Sequence, residues 1–259
     1  MASDVPAVMN AVRLLERIAR AWPDPVATGV LIDDLGLNRS TAYNILGTLR
    51  RAGWAATRDD RAGWWLGPRL LTLAGTREDW LGELVQSEID ELARLLGHLV
   101  FAVRQTGPGE YSVLARADLR QGVRITVGLG DTFPFSAPAI MRAFHAWLPA
   151  DEVERAVARH GLTAFTGETV VDHARLHQVL AEVRANGYAS SVREYDPGQS
   201  GISAPVFDDR GAVTLALVSL AFSSELDKDT VPKAGELIRE SGLRLTERIG
   251  GVAPAHRET

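Results

Sequence analysis

In the stretch LGLNRSTAYNILGTLRRAGW, residues 35–54, four side chains gather at the front of one short amphipathic pattern: Arg39, Ser40, Thr41 and Asn44. None of them helps build a core. Together they offer a guanidinium, two hydroxyls and an amide, so their chemistry is directional hydrogen bonding rather than bond making. The major groove of duplex DNA admits one helix with its N-terminal residues turned toward base edges, where each base pair shows its own donor–acceptor pattern. A helix N-terminus also offers unpaired N–H groups and partial positive charge to a phosphate. Tyr43 in the same turn, and Arg58 and Arg61 in the polar turn that follows, are supporting candidates. An exposed N-terminal helix is by itself more often a solvated face, so the elements around it have to decide.

Other constellations are weaker. GQSGI at 198–202 is one residue short of the G-x-S-x-G elbow that presents a nucleophilic serine, and another strand pattern follows it rather than a helix. His173 and His177 lie one helical turn apart, but the glutamate of H-E-x-x-H is missing and no third ligand is evident, so a solvated helix face is expected. Asp33-Asp34, Asp59-Asp60 and Asp208-Asp209 fall at helix ends or turns, where acids cap and solvate. Trp64 and Trp65 read as packing between the turn region and the next helix. The chain has no cysteine, which excludes disulfides, thiolate chemistry and cysteine-bound zinc. Neither a catalytic site nor a cofactor or metal site is expected.

With 46% hydrophobic and 24% charged residues over 259 positions, the composition is that of a globular protein with room for two modest domains. The start, MASDVPAV, lacks the basic-then-apolar layout of a signal peptide, and polar residues break every apolar run well short of a membrane span. A cytoplasmic protein with no membrane partner is expected. The net charge of −5 argues mildly against nucleic acid until it is divided: residues 1–75 hold nine arginines against seven acids, and the remainder is acidic.

Residues 7–21 repeat apolar positions at helical spacing until WPDP stops them. A short helix near 30–35 ends at Gly36, and Asn38 is a fitting N-cap for the helix that closes at Gly53. WAATRDDRAGWWL then reads as two short strands around a polar turn, which makes a winged helix-turn-helix. A long helical pattern from Pro68 to Gly97 contains Gly75 and Gly82, so a bend is expected. HLVFAVRQ, YSVLARAD and VRITVG suggest an antiparallel meander. Helices near 139–148, 151–160 and 172–186 follow, then the strands GYASSVREY, GISAPVFD and AVTLALVSLAF, and a final helix from 229 to 249. Strands and helices in separate blocks indicate an α+β fold with an antiparallel sheet. The expected division is a DNA-binding domain over 1–67, a linker helix over 68–97 and a regulatory domain over 98–259.

With these motifs in place the chain resembles the IclR-type bacterial transcriptional regulators. LGLNRSTAYNILGTLRRAGW is similar to that family's recognition segment, and WWLGPRLLTLA to the junction of wing and linker helix. FPFSAPAIMRAFHAWLP, GYASSVREY and GISAPVFDDRGAVTLALVSL follow the effector-domain blocks in order. The resemblance implies a GAF-like C-terminal domain, homodimers or tetramers on palindromic double-stranded DNA operators, and response to a small molecule, often an organic or aromatic acid. It matches Arg39, Thr41 and Asn44 to the DNA-reading positions. Arginine is usual at the last of these, and asparagine there favours adenine.

For the effector pocket, the resemblance puts Ala139 and Ile140 at a helix end and Ser191, Gln199 and Gly201 along two strands. Val218 and Leu220 stand where the family often has serines, with Ser219 turned to the opposite face by strand alternation. Met141-Arg142 replaces a usual glycine-lysine pair, and Gly201 replaces a common cysteine. A more apolar cavity is therefore expected, suited to an aromatic or medium-chain ligand. Gln199 and Ser191 would orient its polar end, with Arg142 or Arg116 as partner for a carboxylate. If Val218 and Leu220 instead fill a closed core, no ligand binds and the protein is a DNA binder without an effector. A different class also fits: an enzyme or small-molecule carrier whose N-terminal module serves assembly.

Overall fold

The computed structural model describes residues 5–21, 23–57, 63–70, 77–107, 109–119, 122 and 124–254. The chain divides into two compact units, residues 1–80 and 81–259. No described helix is long and apolar enough to cross a membrane.

The first unit holds α1 (Pro6–Arg20), α2 (Thr28–Leu35) and α3 (Arg39–Arg51), followed by the short strands β1 (Ala55–Ala56) and β2 (Trp65–Leu66). Leu14 and Ile18 of α1, Leu31 of α2 and Leu46 and Leu49 of α3 form its core with Ala55 and Trp64. Gly36 ends α2 at φ 62°, a left-handed turn that a Cβ-bearing residue resists, and so releases the chain into α3 after two residues. Arg17 ties α1 to Asp34 of α2 at 2.7 Å. Ala55 pairs antiparallel with Leu66, and Val26 bridges Trp64, so the hairpin base is fixed on the helices. Trp64 belongs to this unit's own core: it is buried, and its indole N–H donates to Thr28 Oγ1 at 2.9 Å.

α4 (Arg77–Leu96) runs unbroken through Gly82, where a bend was expected; the other bend site, Gly75, lies outside the described residues. The second unit continues with β3 (Leu99–Gly107), β4 (Glu110–Ala117), β5 (Thr132–Pro134), α5 (Pro138–His145), α6 (Ala150–His160), α7 (His173–Asn186), β6 (Ala189–Asp196), β7 (Gln199–Phe207), β8 (Val213–Phe222) and α8 (Val231–Arg248). The six strands form one antiparallel sheet in the order β5-β4-β3-β8-β7-β6. Strand alternation gives it two apolar faces. Val100, Ala102, Ile202, Ala204 and Leu217 meet Ile89 and Leu92 of α4 and Ile238 and Leu245 of α8. Phe101, Val103 and Val218 meet Ile140 and Phe144 of α5, Val153 and Val157 of α6 and Leu176 and Leu180 of α7. α8 lies close to the sheet because Gly242 has no side chain: a Cβ there would stand 2.8 Å from the carbonyl oxygen of Pro205.

One expected strand does not form among the described residues: 124–128 of VRITVG do not extend the meander, and β5 takes the edge beside β4 instead, pairing Thr132 with Ser112. The reason lies in the turn between them. Asp131 accepts from the Gly128 N–H at 2.6 Å, and its own carbonyl accepts from Val113 N–H at 2.9 Å. This leaves residues 124–127 off the sheet, with Val127 buried in the core.

Candidate nucleic-acid interface and ligand cavity

α3 begins at a true cap. The Asn38 side chain accepts from the Thr41 N–H at 2.8 Å and from the Ser40 hydroxyl at 2.9 Å, so the first turn is rigid. Ala42, Leu46 and Leu49 face inward. Arg39, Ser40, Tyr43 and Asn44 are exposed and Thr41 is half-buried, with Tyr43 at 48% exposure. A helix held from behind by three apolar contacts, with its front end bare, can enter a groove without rearranging. Ser40 is partly committed to the cap, which leaves Arg39, Tyr43 and Asn44 as the freer tips. Arg58 and Arg61, expected in the turn between the two short strands, lie outside the described residues.

The second unit contains a cavity of about 610 Å³ between the sheet, the start of α5 and the 124–133 segment. That volume lies in the range that holds small organic ligands. Ala139, Ile140, Ser191, Gln199, Gly201, Val218 and Leu220, all expected there, line it together. Val218 and Leu220 face the cavity without filling it. Ser219 is buried on the other sheet face, where its hydroxyl lies 3.4 Å from His98 Nδ1. Gly201 keeps the floor open, since a Cβ there would come within 2.9 Å of the Leu220 side chain.

The two arginines expected to hold a carboxylate are not in the cavity. Arg142 is buried and turned away: its guanidinium forks onto Glu194, Nη1 to Oε1 at 2.7 Å and Nη2 to Oε2, and Nη1 also donates to the Ser190 carbonyl at 2.7 Å. A helix position one residue beyond Met141 points around α5 from Ile140, so the side chain emerges beside the cavity rather than in it. Arg116 lies opposite Phe101 on the same face of the sheet but does not line the cavity, and its guanidinium lies 3.6 Å from Asp118. The lining cation among the described residues is Arg124, a position the sequence reading passed over, itself 3.7 Å from Asp118. The reading also missed Phe101, Phe133, Tyr195 and Phe222, which give the wall its aromatic character. Only the alternation of β3 could have signalled Phe101; the others depend on how loops and strand ends fold back.

Of the remaining constellations, Ser200 sits inside β7, buried, and not at a strand-to-helix corner, and it lines the cavity. His173 Nδ1 and His177 Nε2 both meet the Glu154 carboxylate, at 2.9 and 2.6 Å, joining α7 to α6. Those two bonds, His177 first, hold the Glu154 carboxyl below the usual carboxylate range. Asp208 accepts from the N–H groups of Arg210 and Ala212 in the turn before β8.

Both halves of the chain have counterparts among known proteins. Residues 7–59 match the family description "IclR helix-turn-helix domain" and residues 81–247 match "Bacterial transcriptional regulator IclR C-terminal". The HTH-type transcriptional repressor AllR of Klebsiella pneumoniae is 28% identical over 226 residues, covering 85% of this chain and 82% of that protein. The HTH-type transcriptional regulator XynR of Escherichia coli is 27% identical over 239 residues, covering 86% and 91%. A crystal structure of an IclR transcriptional regulator from Alicyclobacillus acidocaldarius superposes with a TM-score of 0.62 at 28% identity, over 96% of this chain and 100% of that one. Matched through its helix-turn-helix and through most of its larger unit, the chain belongs to the IclR family of DNA-binding transcriptional regulators.

Proposed function

We propose that this regulator is a homo-oligomeric repressor acting in the cytoplasm, and that a small organic ligand with an aromatic body, an aromatic acid or a derivative of one, modulates its grip on a palindromic operator. Arg39, Thr41 and Asn44 read the major groove, and Ser40, Tyr43, Arg58 and Arg61 support them. The cavity of about 610 Å³ that Val218 and Leu220 leave open carries the ligand half of this reading. Its wall is mainly apolar, with four aromatic rings, and carries Asp131 and a few further polar side chains. Burial of ligand surface there gains roughly 25 cal/mol per Å², so a ring contributes more than a two-carbon acid can. For the polar end, Ser191 and Gln199 line the cavity together with Arg124, whose guanidinium also lies 3.7 Å from Asp118. A ligand alters DNA binding only by binding one state more tightly than the other.

The test is operator binding, by fluorescence anisotropy on DNA from upstream of the protein's own gene, at two salt concentrations and with a panel of aromatic and short-chain acids. Affinity should fall steeply with salt, as for a protein that neutralises several phosphates. An aromatic member should change affinity at fixed salt. A response to short-chain acids alone would refute the ligand assignment, and unchanged affinity in Arg39→Ala would refute the DNA-reading one.

A further inference from the structure

The end of β6 departs from a regular strand in a way the sheet alone does not explain. Val192 pairs with Ser200 and Asp196 with Gln199, so residues 193–195 form a ledge with no partners in β7. Arg193 at its start has φ 60°, and is the one residue other than glycine with positive φ among the described residues. That conformation is costly for a side chain with a Cβ and persists only where its surroundings impose it. Here they do so from three directions. The buried Arg142 guanidinium holds Glu194 by a fork. Thr166 Oγ1 donates to the Arg193 carbonyl at 2.8 Å, and Thr169 Oγ1 to the Glu194 carbonyl at 2.6 Å, which satisfies carbonyls that the sheet releases. The Phe165 ring lies 4.5 Å from that of Tyr195, tilted by 46°.

The outcome of this anchoring is the placement of one ring. Tyr195 lines the cavity, 39% exposed, with Phe133 at 6.3 Å beside it and Phe101 stacked at 5.5 Å on Phe133. Its hydroxyl has no hydrogen-bond partner among the described residues. We propose that Tyr195 is a specificity-determining residue of the effector cavity, an aromatic platform held by the 193–195 ledge that selects planar rings carrying a hydrogen-bond acceptor over saturated rings of equal size. The proposal rests on the cavity being the effector site. An aromatic face gains from an offset or edge-on ring beyond what area burial supplies, and a saturated ring cannot reproduce that gain.

Ring pairs of matched size and polar end isolate the effect: benzamide against cyclohexanecarboxamide, and benzoate against cyclohexanecarboxylate. Affinities are measured by calorimetry on the full chain, for the parent protein and for Tyr195→Phe, Tyr195→Leu and Thr132→Trp, the last plugging the cavity at its exposed rim. The planar member of each pair should bind roughly two- to tenfold tighter to the parent. Tyr195→Phe should keep that preference and lose part of the affinity for both planar rings, and Tyr195→Leu should abolish the preference. A role confined to structure would weaken both members of a pair equally. If Tyr195→Leu keeps the preference while Thr132→Trp blocks binding, the platform is refuted and the effector cavity stands. If no member binds at millimolar concentration, or Thr132→Trp changes nothing, the effector cavity falls and the platform with it.

Discussion

Replacing Arg142 by methionine separates a buried ion pair from its packing. The Arg142 side chain is 3% exposed and that of Glu194 12%, so neither charge has bulk water to return to when its partner is removed. Methionine keeps the aliphatic volume and deletes the guanidinium. The Glu194 carboxylate is then left with a long contact from the Val170 N–H at 3.4 Å. Breaking such a pair from one side costs about 3–5 kcal/mol, whereas replacing both partners by apolar groups of similar volume is often close to neutral. For a unit of this size each kcal/mol lowers the melting temperature by about 2–4 °C, so Arg142→Met should lower it by roughly 6–20 °C. Arg142→Met combined with Glu194→Leu should recover most of that loss, a coupling of at least about 2 kcal/mol in a double-mutant cycle. Calorimetric melting of the full chain and the three variants measures it. A single variant that loses less than about 1 kcal/mol, or a pair whose effects simply add, would refute the claim that Arg142 is spent on Glu194.

Other consequences are quicker to check. Arg39→Ala and Asn44→Ala should each weaken operator binding by about 1–3 kcal/mol, roughly 5- to 150-fold, in anisotropy titrations, with unchanged melting because both side chains are exposed. Asn38→Ala, which removes the acceptor for the Thr41 N–H, should cost about 1 kcal/mol of stability in denaturant melts of the first unit's transition, and Asn38→Asp should restore most of it. Burial holds His145 below the usual imidazole range, against the opposing bond to the Met141 carbonyl, and the charge of His160 lowers it further. Above pH about 6.5 the ring is neutral folded and unfolded and contributes no slope; below it the unfolded chain gains a proton the folded one refuses, so stability falls by up to about 1.4 kcal/mol per pH unit until the folded pKa is reached. His145→Asn, which keeps an N–H for Met141, should flatten that part of the melting-temperature profile; parallel profiles would show that His145 does not cause it.

The bare front end of α3 was legible in the sequence because its determinants are local. Gly36 as a left-handed stop, Asn38 as a cap and the spacing of Ala42, Leu46 and Leu49 act within a dozen residues, and together they dictate which tips stay bare. The sheet strands were equally plain where apolar runs were long, as in β7 and β8, or alternation was regular, as in β4. VRITVG misled because its apolar alternation suits a strand, while the decision was made by the Asp131 turn closing on Gly128 and handing the sheet edge to β5.

The cavity was legible by half, and the division has a physical cause. Residues that reach it by regular alternation or helical spacing, such as Val218, Leu220, Ala139 and Ile140, follow from the strand and helix they sit on. Arg142 and Tyr195 do not. The sequence points to Arg142 and passes over Tyr195, because which one faces the cavity depends on Arg193 adopting a left-handed φ, and on Thr166 and Thr169, more than twenty residues away, satisfying two displaced carbonyls. A cationic side chain expected to hold a carboxylate is thereby spent on positioning a ring. Charge beside a pocket is no evidence for a charged ligand until the fate of that charge in the fold has been followed.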